Sequence, residues 1–377
     1  MKKLIVLLLF WLNNLLPKFN YIIYCSVPDY DDNLRAIINC EKKVGKKIIV
    51  LATNNVNPPL WAIREIVLHV KKNSMIGIFL FLFSKYILFT HGLYKGIKSK
   101  RQKTINIWHG MPVKKIGGYE GKEVPEFDYV LCTSKFWIPI ISTAFYCNQN
   151  KVKNLGLPRN DLLSSKITDN LSLKDLKNKF EKIFVWLPTY RKSTFGQIRT
   201  DGDPSSSPFG LNLDLEKINR NLALNKTLLI LKPHPMSEHN SVIWDNYSNI
   251  AIKNNESFVD ENFTLYELLA VSDLLITDVS SVFIDYLICQ KPIIFCFSDL
   301  NKYRENRGFT IDIFNDGLPG PLVKNQDELI FQLNQTWKKI DNFEHKRKSN
   351  LLKYHNSCNK NSSYKIMEFL ESIQNEK

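Results

Sequence analysis

No C-x-x-C pair occurs among the seven cysteines, no apolar run reaches the roughly 20 residues that a bilayer-spanning helix needs, and neither a short-period repeat nor a heptad array is present. Nothing in the chain therefore resembles a small disulfide-stapled module, and thiols set inside apolar runs such as LICQ and IIFCF fit core residues in a reducing compartment. Negative charge is also short. Against 51 Lys plus Arg there are 37 Asp plus Glu, a net charge of +14, so the protein should seek anionic surfaces: nucleic acid, lipid headgroups or polyphosphate chains, which composition does not separate.

What is present suits a folded protein with two cores. The chain has 377 residues, 44% of them hydrophobic and 23% charged, and about 100 to 200 residues per domain makes two domains the default. Two lysines precede the apolar stretch from Leu4 to Leu12, but two asparagines interrupt it and no small-residue cleavage site follows before Pro17. An interfacial helix and a first core helix are both open for this segment, and the run from Ile76 to Phe83 is likewise too short to span.

In the first half, YIIYC (21–25), KIIVL (47–51), YILFT (86–90), TINIW (104–108) and YVLC (129–132) read as strands buried on both faces of a parallel sheet. Helices are expected over Leu34 to Lys43, Leu60 to Val70 and Phe136 to Phe145. After GLPRND (156–161) the pattern restarts with strands KIFVW (182–186), TLLIL (227–231), LLIT (274–277) and PIIFCF (292–297), and helices near 213–224, 264–271 and 281–288. Thr264 and Glu267 fit a capping box, and KIMEFLESI (365–373) a closing helix. The expected fold is α/β, with two Rossmann-like doubly wound domains facing a central cleft. TDGDPSSSP (200–208) carries a D-x-D at Asp201 and Asp203, but no apolar strand leads into it and a solvated loop is the better reading.

Candidate chemistry sits where strands end, as open α/β sheets require. IWHGMPVKKIGG (107–118) places His109 and Gly110 after a strand; the imidazole can take a proton near neutral pH, or be a satisfied structural histidine. Arg191 projects from WLPTYRK (186–192) and would grip a phosphate. In LILKPHP (229–235) Lys232 ends a strand and His234 is fixed between two prolines, which suits a ligand role or a rigid turn. LLITDVSSVFIDYL (274–287) runs through Thr277 into Asp278, then Ser280 and Ser281 open a helix whose N-terminus would hold an anion or be an ordinary cap. DLNKYRENRGF (299–309) offers Arg304 and Arg307 as a solvated run or as phosphate contacts.

Taken in order, WHGMPVKKIG, FDYVLCTS, GLPRND, LPTYR, LKPHP, ITDVSSVFIDY and KPIIF…D…Y…RGF resemble the CDP-glycerol glycerophosphotransferase family of teichoic acid and capsule synthesis, over about residues 20 to 310. The resemblance implies a GT-B-like fold, no metal or other cofactor, and a peripheral place on the cytoplasmic face of the cell membrane. Its implied partners are a CDP-polyol donor, a lipid-linked glycan or polyol-phosphate acceptor and an anionic membrane surface, with no nucleic acid. By the same resemblance His109 matches the proposed base and His234 a second essential histidine. The turn of Asp278, Ser280 and Ser281 matches the family's donor-phosphate site, and the strand-end residues Gly110, Arg191, Lys232, Thr277 and Arg307 are expected to bind the donor with it. Residues 1–160 would form an acceptor-side domain with a membrane-associating N-terminus, and 161–377 a CDP-donor domain. Val279 stands where the family commonly has an aromatic residue, Met111 and Val113 also depart, and glycerol and ribitol both stay open. The match nearly fills the chain, which resembles short members that prime a lipid-linked disaccharide or single-domain capsule enzymes. A glycosyltransferase using a nucleotide-activated sugar and a non-catalytic polyanion binder are the alternatives.

Overall fold

The structure, a computed structural model, describes residues 2–40, 46–53, 57–91, 93–164, 170–189, 213–233, 247–297, 299–314, 317–355 and 361–373. The chain divides into two compact units, one of Met1–Gly110, Gly117–Leu162 and Cys358–Lys377, the other of Met111–Ile116 and Leu163–Ser357.

The first unit holds β1 (Phe19–Cys25), β2 (Ile48–Ala52), β3 (Val67–Lys71), β4 (Ser84–Phe89), β5 (Lys103–Asn106), β6 (Tyr129–Leu131) and β7 (Val152–Lys153) in the order β3-β2-β1-β4-β5-β6-β7. Every pairing is parallel, with Ile22 opposite Ile48 and Tyr24 opposite Leu88. The second unit repeats the plan with β8 (Lys182–Leu187), β9 (Thr227–Leu231), β10 (Ile250–Ile252), β11 (Leu274–Thr277), β12 (Ile293–Cys296) and β13 (Leu322–Val323), ordered β10-β9-β8-β11-β12-β13 and again parallel. Strand order reverses between β1 and β4 and between β8 and β11, which is the doubly wound plan. Tyr86, Ile87, Leu88 and Phe89 are fully buried, as are Leu274, Leu275 and Ile276, so these strands read as unbroken apolar runs.

One expected element is corrected. The stretch from Leu60 to Val70 is not a helix: after a single 3-10 turn at Leu60–Ala62 the chain bends, with the Val67 amide on the Arg64 carbonyl, and Val67–Lys71 pairs along all of β2. The apolar spacing there suits a helix, but Val67 and Val70 are β-branched and the edge of β2 offers five ladder partners, so tertiary pairing decides. The capping box at Thr264 and Glu267 is present on the helix Leu265–Val271. Closing residues form the helix Ser362–Ser372, whose first amides, those of Ser362 and Ser363, donate to the half-buried Asp161 carboxylate in the first unit. No disulfide links the six described cysteines, and burial raises the Cys132 thiol to about 12.

Glycines at 117 and 118 allow a close approach. A Cβ on Gly117 would lie 2.2 Å from the Ala144 carbonyl oxygen, and one on Gly118 2.1 Å from that of Thr143, so the IGG turn is pressed against the end of the helix Trp137–Ala144.

His355 is fully buried with its Nε2 2.7 Å from the Ile284 carbonyl oxygen, and burial holds its pKa below the ordinary 6.5. The unfolded chain binds a proton near pH 6.5 that the native state resists, so stability is intact above that pH and falls below it, toward the lowered native pKa. We expect loss of about 1.4 kcal/mol per pH unit from this one residue in that window. Urea midpoints between pH 7 and 5 measure it, and His355→Gln, whose amide nitrogen takes the place of Nε2 toward the Ile284 carbonyl, should flatten the slope.

Candidate functional site

At the β1/β4 reversal of the first unit, Cys25 and Phe89 end their strands side by side and their successors form the site's floor. Thr90 donates its amide to the Cys25 carbonyl, and its Oγ1 lies 3.1 Å from His91 Nδ1. One strand over, β5 runs into Asn106, whose Oδ1 accepts the Trp108 amide at 3.0 Å. That side-chain turn holds Trp108 in the left-handed region at φ 59° and Gly110 at φ 132°. A bulky residue in this conformation costs about 1–3 kcal/mol, and such strain persists where surroundings over-determine it. Its effect is to turn His109 outward: the imidazole is exposed, while Ile107 and Gly110 on either side are buried.

Three rings form a cluster there. Trp108 and His109 centroids are 3.9 Å apart, His91 and His109 4.7 Å, and His91 stacks on Trp108 at 5.8 Å. Phe145 closes the back, edge-on to Trp108 at 4.9 Å. Arg159 of GLPRND is buried, takes its backbone position from a bond of its amide to Asn33 Oδ1, and donates Nη1 to the His109 carbonyl at 3.1 Å. Asn160 beside it is fully buried with neither side-chain amide atom paired among the described residues, a polar group of the sort that waters or ligands satisfy. Burial holds the His91 pKa below the ordinary value, so this ring is the neutral neighbour of the exposed one.

At the β8/β11 reversal of the second unit, Asp278 follows the last residue of β11. Its buried Oδ2 accepts the amide of Thr189 at 3.0 Å and its hydroxyl at 2.7 Å, which fixes the start of the LPTYR loop after β8. Thr277 donates its hydroxyl to the Leu187 carbonyl, a contact across the sheet. Ser281 is the N-cap position of the five-residue helix Val282–Tyr286 and makes no side-chain cap bond; Ser280 Oγ lies 3.4 Å from the Val282 amide. Lys232 directly follows β9, with its ammonium 6.0 Å from the Phe258 ring centre. His234 and Arg191 lie outside the described residues, as do Asp201 and Asp203.

Two motifs far apart in the sequence meet in this second unit. Lys114 forms an antiparallel bridge with Phe309, the Lys115 amide donates to the Gly308 carbonyl, and the Thr310 amide to that of Val113. Gly308 has φ 67°, and the Lys115 side chain crosses over it: a Cβ there would sit 3.0 Å from Lys115 Cδ. Arg307 caps the helix Leu300–Asn306, and an open pocket of about 520 Å³ is lined by Lys115, Arg304 and 308–312. Two cations against the lone carboxylate of Asp312 make this a surface suited to phosphate.

His91 and Arg159 escaped the sequence reading. His91 carries the same signal as His109, a His-Gly pair directly after a strand, in YILFTHG. Arg159 gave no local signal, because its contact with His109 is between residues 50 positions apart.

The family model for CDP-glycerol:poly(glycerophosphate) glycerophosphotransferase matches residues 8–372. A teichoic acid glycerol-phosphate transferase of Staphylococcus aureus is 30% identical over 267 residues, 63% of this chain and 63% of that protein, so the match spans just under two thirds of the relative. A teichoic acid poly(glycerol phosphate) polymerase of Bacillus spizizenii is 30% identical over 71% of this chain and 70% of its own length. Among solved structures, that of the wall teichoic acid polymerase TagF covers 99% of this chain and 92% of its own at a TM-score of 0.76 and 21% identity, which establishes the likeness of fold. With a family model filling nearly the whole chain, two parallel doubly wound sheets and the WHG turn at a strand end, the chain belongs to the CDP-glycerol:poly(glycerophosphate) glycerophosphotransferase family.

Proposed function

We propose that this protein transfers glycerol phosphate from CDP-glycerol to a hydroxyl of a lipid-linked glycan or polyol-phosphate acceptor in teichoic acid synthesis, releasing CMP. The observation that carries the reading is His109 itself: an exposed imidazole presented by a strained turn, in a chain matched by the family model over residues 8–372. The acceptor oxygen attacks the glycerol-bearing phosphorus in line, its proton passes to His109, and the bond from that phosphorus to the bridging oxygen breaks as CMP leaves. Lys232, His234, Arg191, Arg307 and the Asp278–Ser281 turn are assigned to the donor, where cations and amides offset the charge on the leaving phosphate. No metal takes part in this reading. Purified protein, CDP-glycerol and a lipid-linked acceptor test it: CMP release should survive excess chelator, whereas consumption of a UDP- or GDP-sugar with no use of CDP-glycerol or CDP-ribitol would replace it with glycosyl transfer. Absence of turnover with every donor would leave the polyanion-binding alternative.

The reading includes docking on an anionic membrane, supported by an N-terminal helix that is built inside out. Asn13 of the helix Lys2–Leu15 is fully buried and donates Nδ2 to the Ile97 carbonyl and to Gln102 Oε1, and Asn14 Oδ1 accepts from Ser99 and the Lys100 amide. The asparagines thus face the protein while Leu4, Leu8, Trp11 and Leu15 stand 60% or more exposed, beside Met75 and Ile76 of the helix Met75–Phe83. No described helix is long and apolar enough to cross a membrane. An apolar face on a +14 chain suits peripheral binding, because each surface Lys or Arg adds about 1 kcal/mol on anionic lipid. We expect Leu8→Glu/Trp11→Glu to lose sedimentation with phosphatidylglycerol vesicles and keep turnover of a detergent-soluble acceptor. Unchanged sedimentation would remove the helix from the account.

A further inference from the structure

The first unit contains a second cavity, of about 660 Å³, that the transfer chemistry does not use. Its volume falls within the roughly 300–1,000 Å³ of small-molecule sites. Phe81, Leu93, Tyr94, Lys98, Glu126 and Tyr146 are among its lining residues. One end adjoins the exposed helices: Phe81 belongs to the helix Met75–Phe83, and a Cβ on the lining Gly96 would lie 3.3 Å from Val6 of the N-terminal helix. Along the chain its lining residues neighbour the ring cluster: Leu93 is two residues beyond His91, and Tyr146 follows Phe145, which packs on Trp108.

Charge on the walls decides what kind of ligand fits. Lys95 pairs with Glu123 at 2.7 Å, Lys98 with Asp128 at 2.9 Å and Lys122 with Glu120 at 3.4 Å, so the three lysines lining the cavity each face a carboxylate. Such walls offer donors and acceptors with little net charge, which disfavours a phosphate chain and suits hydroxyl groups. The aromatic walls agree. Tyr94 is held edge-on to Phe81 at 4.8 Å, and its hydroxyl donates to the Lys72 carbonyl. Tyr146 is 62% exposed on a left-handed backbone of φ 48°, a strained conformation that keeps a large ring at the mouth. Amphipathic rings of this kind pack against the C–H face of a sugar.

We propose that this cavity holds a neutral saccharide ring of the lipid-linked acceptor, between the membrane-facing helices and His109. The assignment rests on the transferase reading above and adds a subsite to it. Two measurements separate the failures. In the first, wild-type protein, Tyr146→Ala and Tyr146→Phe are titrated with monomeric octyl glucoside, with octyl phosphate as competitor. In the second, acceptor and donor KM are measured with a detergent-soluble lipid-linked glycan. Tyr146→Ala should weaken octyl glucoside binding and raise acceptor KM by about tenfold, the size expected for losing one aromatic contact, with kcat and the KM for CDP-glycerol unchanged and Tyr146→Phe near wild type. Acceptor KM within twofold of wild type, an equal rise in donor KM, or displacement of the glucoside by octyl phosphate as readily as by itself would overturn the subsite. Loss of CDP-glycerol turnover in the wild type with Tyr146-dependent glucoside binding retained would overturn the transferase reading and leave the saccharide site standing.

Discussion

Substitution of His109 by alanine is expected to slow CMP release by about 10² to 10⁴-fold, the usual contribution of a positioned general base. Donor affinity and thermal stability should hardly change, because the ring is exposed and its turn is fixed by other groups: the Asn106 side chain on the Trp108 amide and Arg159 on the His109 carbonyl. Arg159→Ala offers the contrast. It leaves the imidazole in place but frees its backbone, so kcat should fall while donor affinity holds. Single-turnover rates across pH 5.5 to 8.5 for both variants measure this, and retention of more than a tenth of wild-type turnover by His109→Ala would remove it as the base.

Asp278→Ala carries the largest expected effect on stability. The carboxylate is buried and accepts two hydrogen bonds from Thr189, and each bond to a charged group is worth about 1.5–3 kcal/mol. Removing it leaves the Thr189 amide and hydroxyl buried without that acceptor. A loss of about 3 kcal/mol should lower the melting temperature by roughly 6–12 °C for a unit of this size. Thr189→Val removes the hydroxyl alone and should show about half the effect. The same device recurs in the first unit, where Asp29 accepts from the Thr53 amide and hydroxyl and Asp128 from those of Thr104. A melting temperature unchanged in Asp278→Ala would show that the clamp on Thr189 contributes nothing to stability.

Much of the architecture was legible because parallel strands are buried on both faces, and runs such as YILF and LLIT need no partner to be recognised. Edge strands were not. Val152–Lys153, Ile250–Ile252 and Leu322–Val323 have two or three residues each, and Val67–Lys71 alternates between half-buried and exposed positions, so pairing with a neighbour defines them. His109 was visible from its place after a strand. His91 follows a strand in the same way, but its importance depends on the stacking that brings it within 4.7 Å of His109, a distance no local pattern encodes. The N-terminal helix, which the sequence left open between an interfacial and a first core helix, shows what a reading along the chain leaves out. Its two asparagines interrupt an apolar run when read along the chain, yet they are the face that anchors it, and the leucines are the face left open.

The measurement closest to the central claim is a mass spectrum of the product formed from CDP-glycerol and a detergent-soluble lipid-linked glycan, run beside a parallel reaction with UDP- and GDP-sugars. Acceptor carrying one or more added glycerol phosphate units is expected, with CMP released in equal number and neither formed by His109→Ala. Acceptor extended by a sugar from a UDP or GDP donor, with CDP-glycerol left intact, would contradict it.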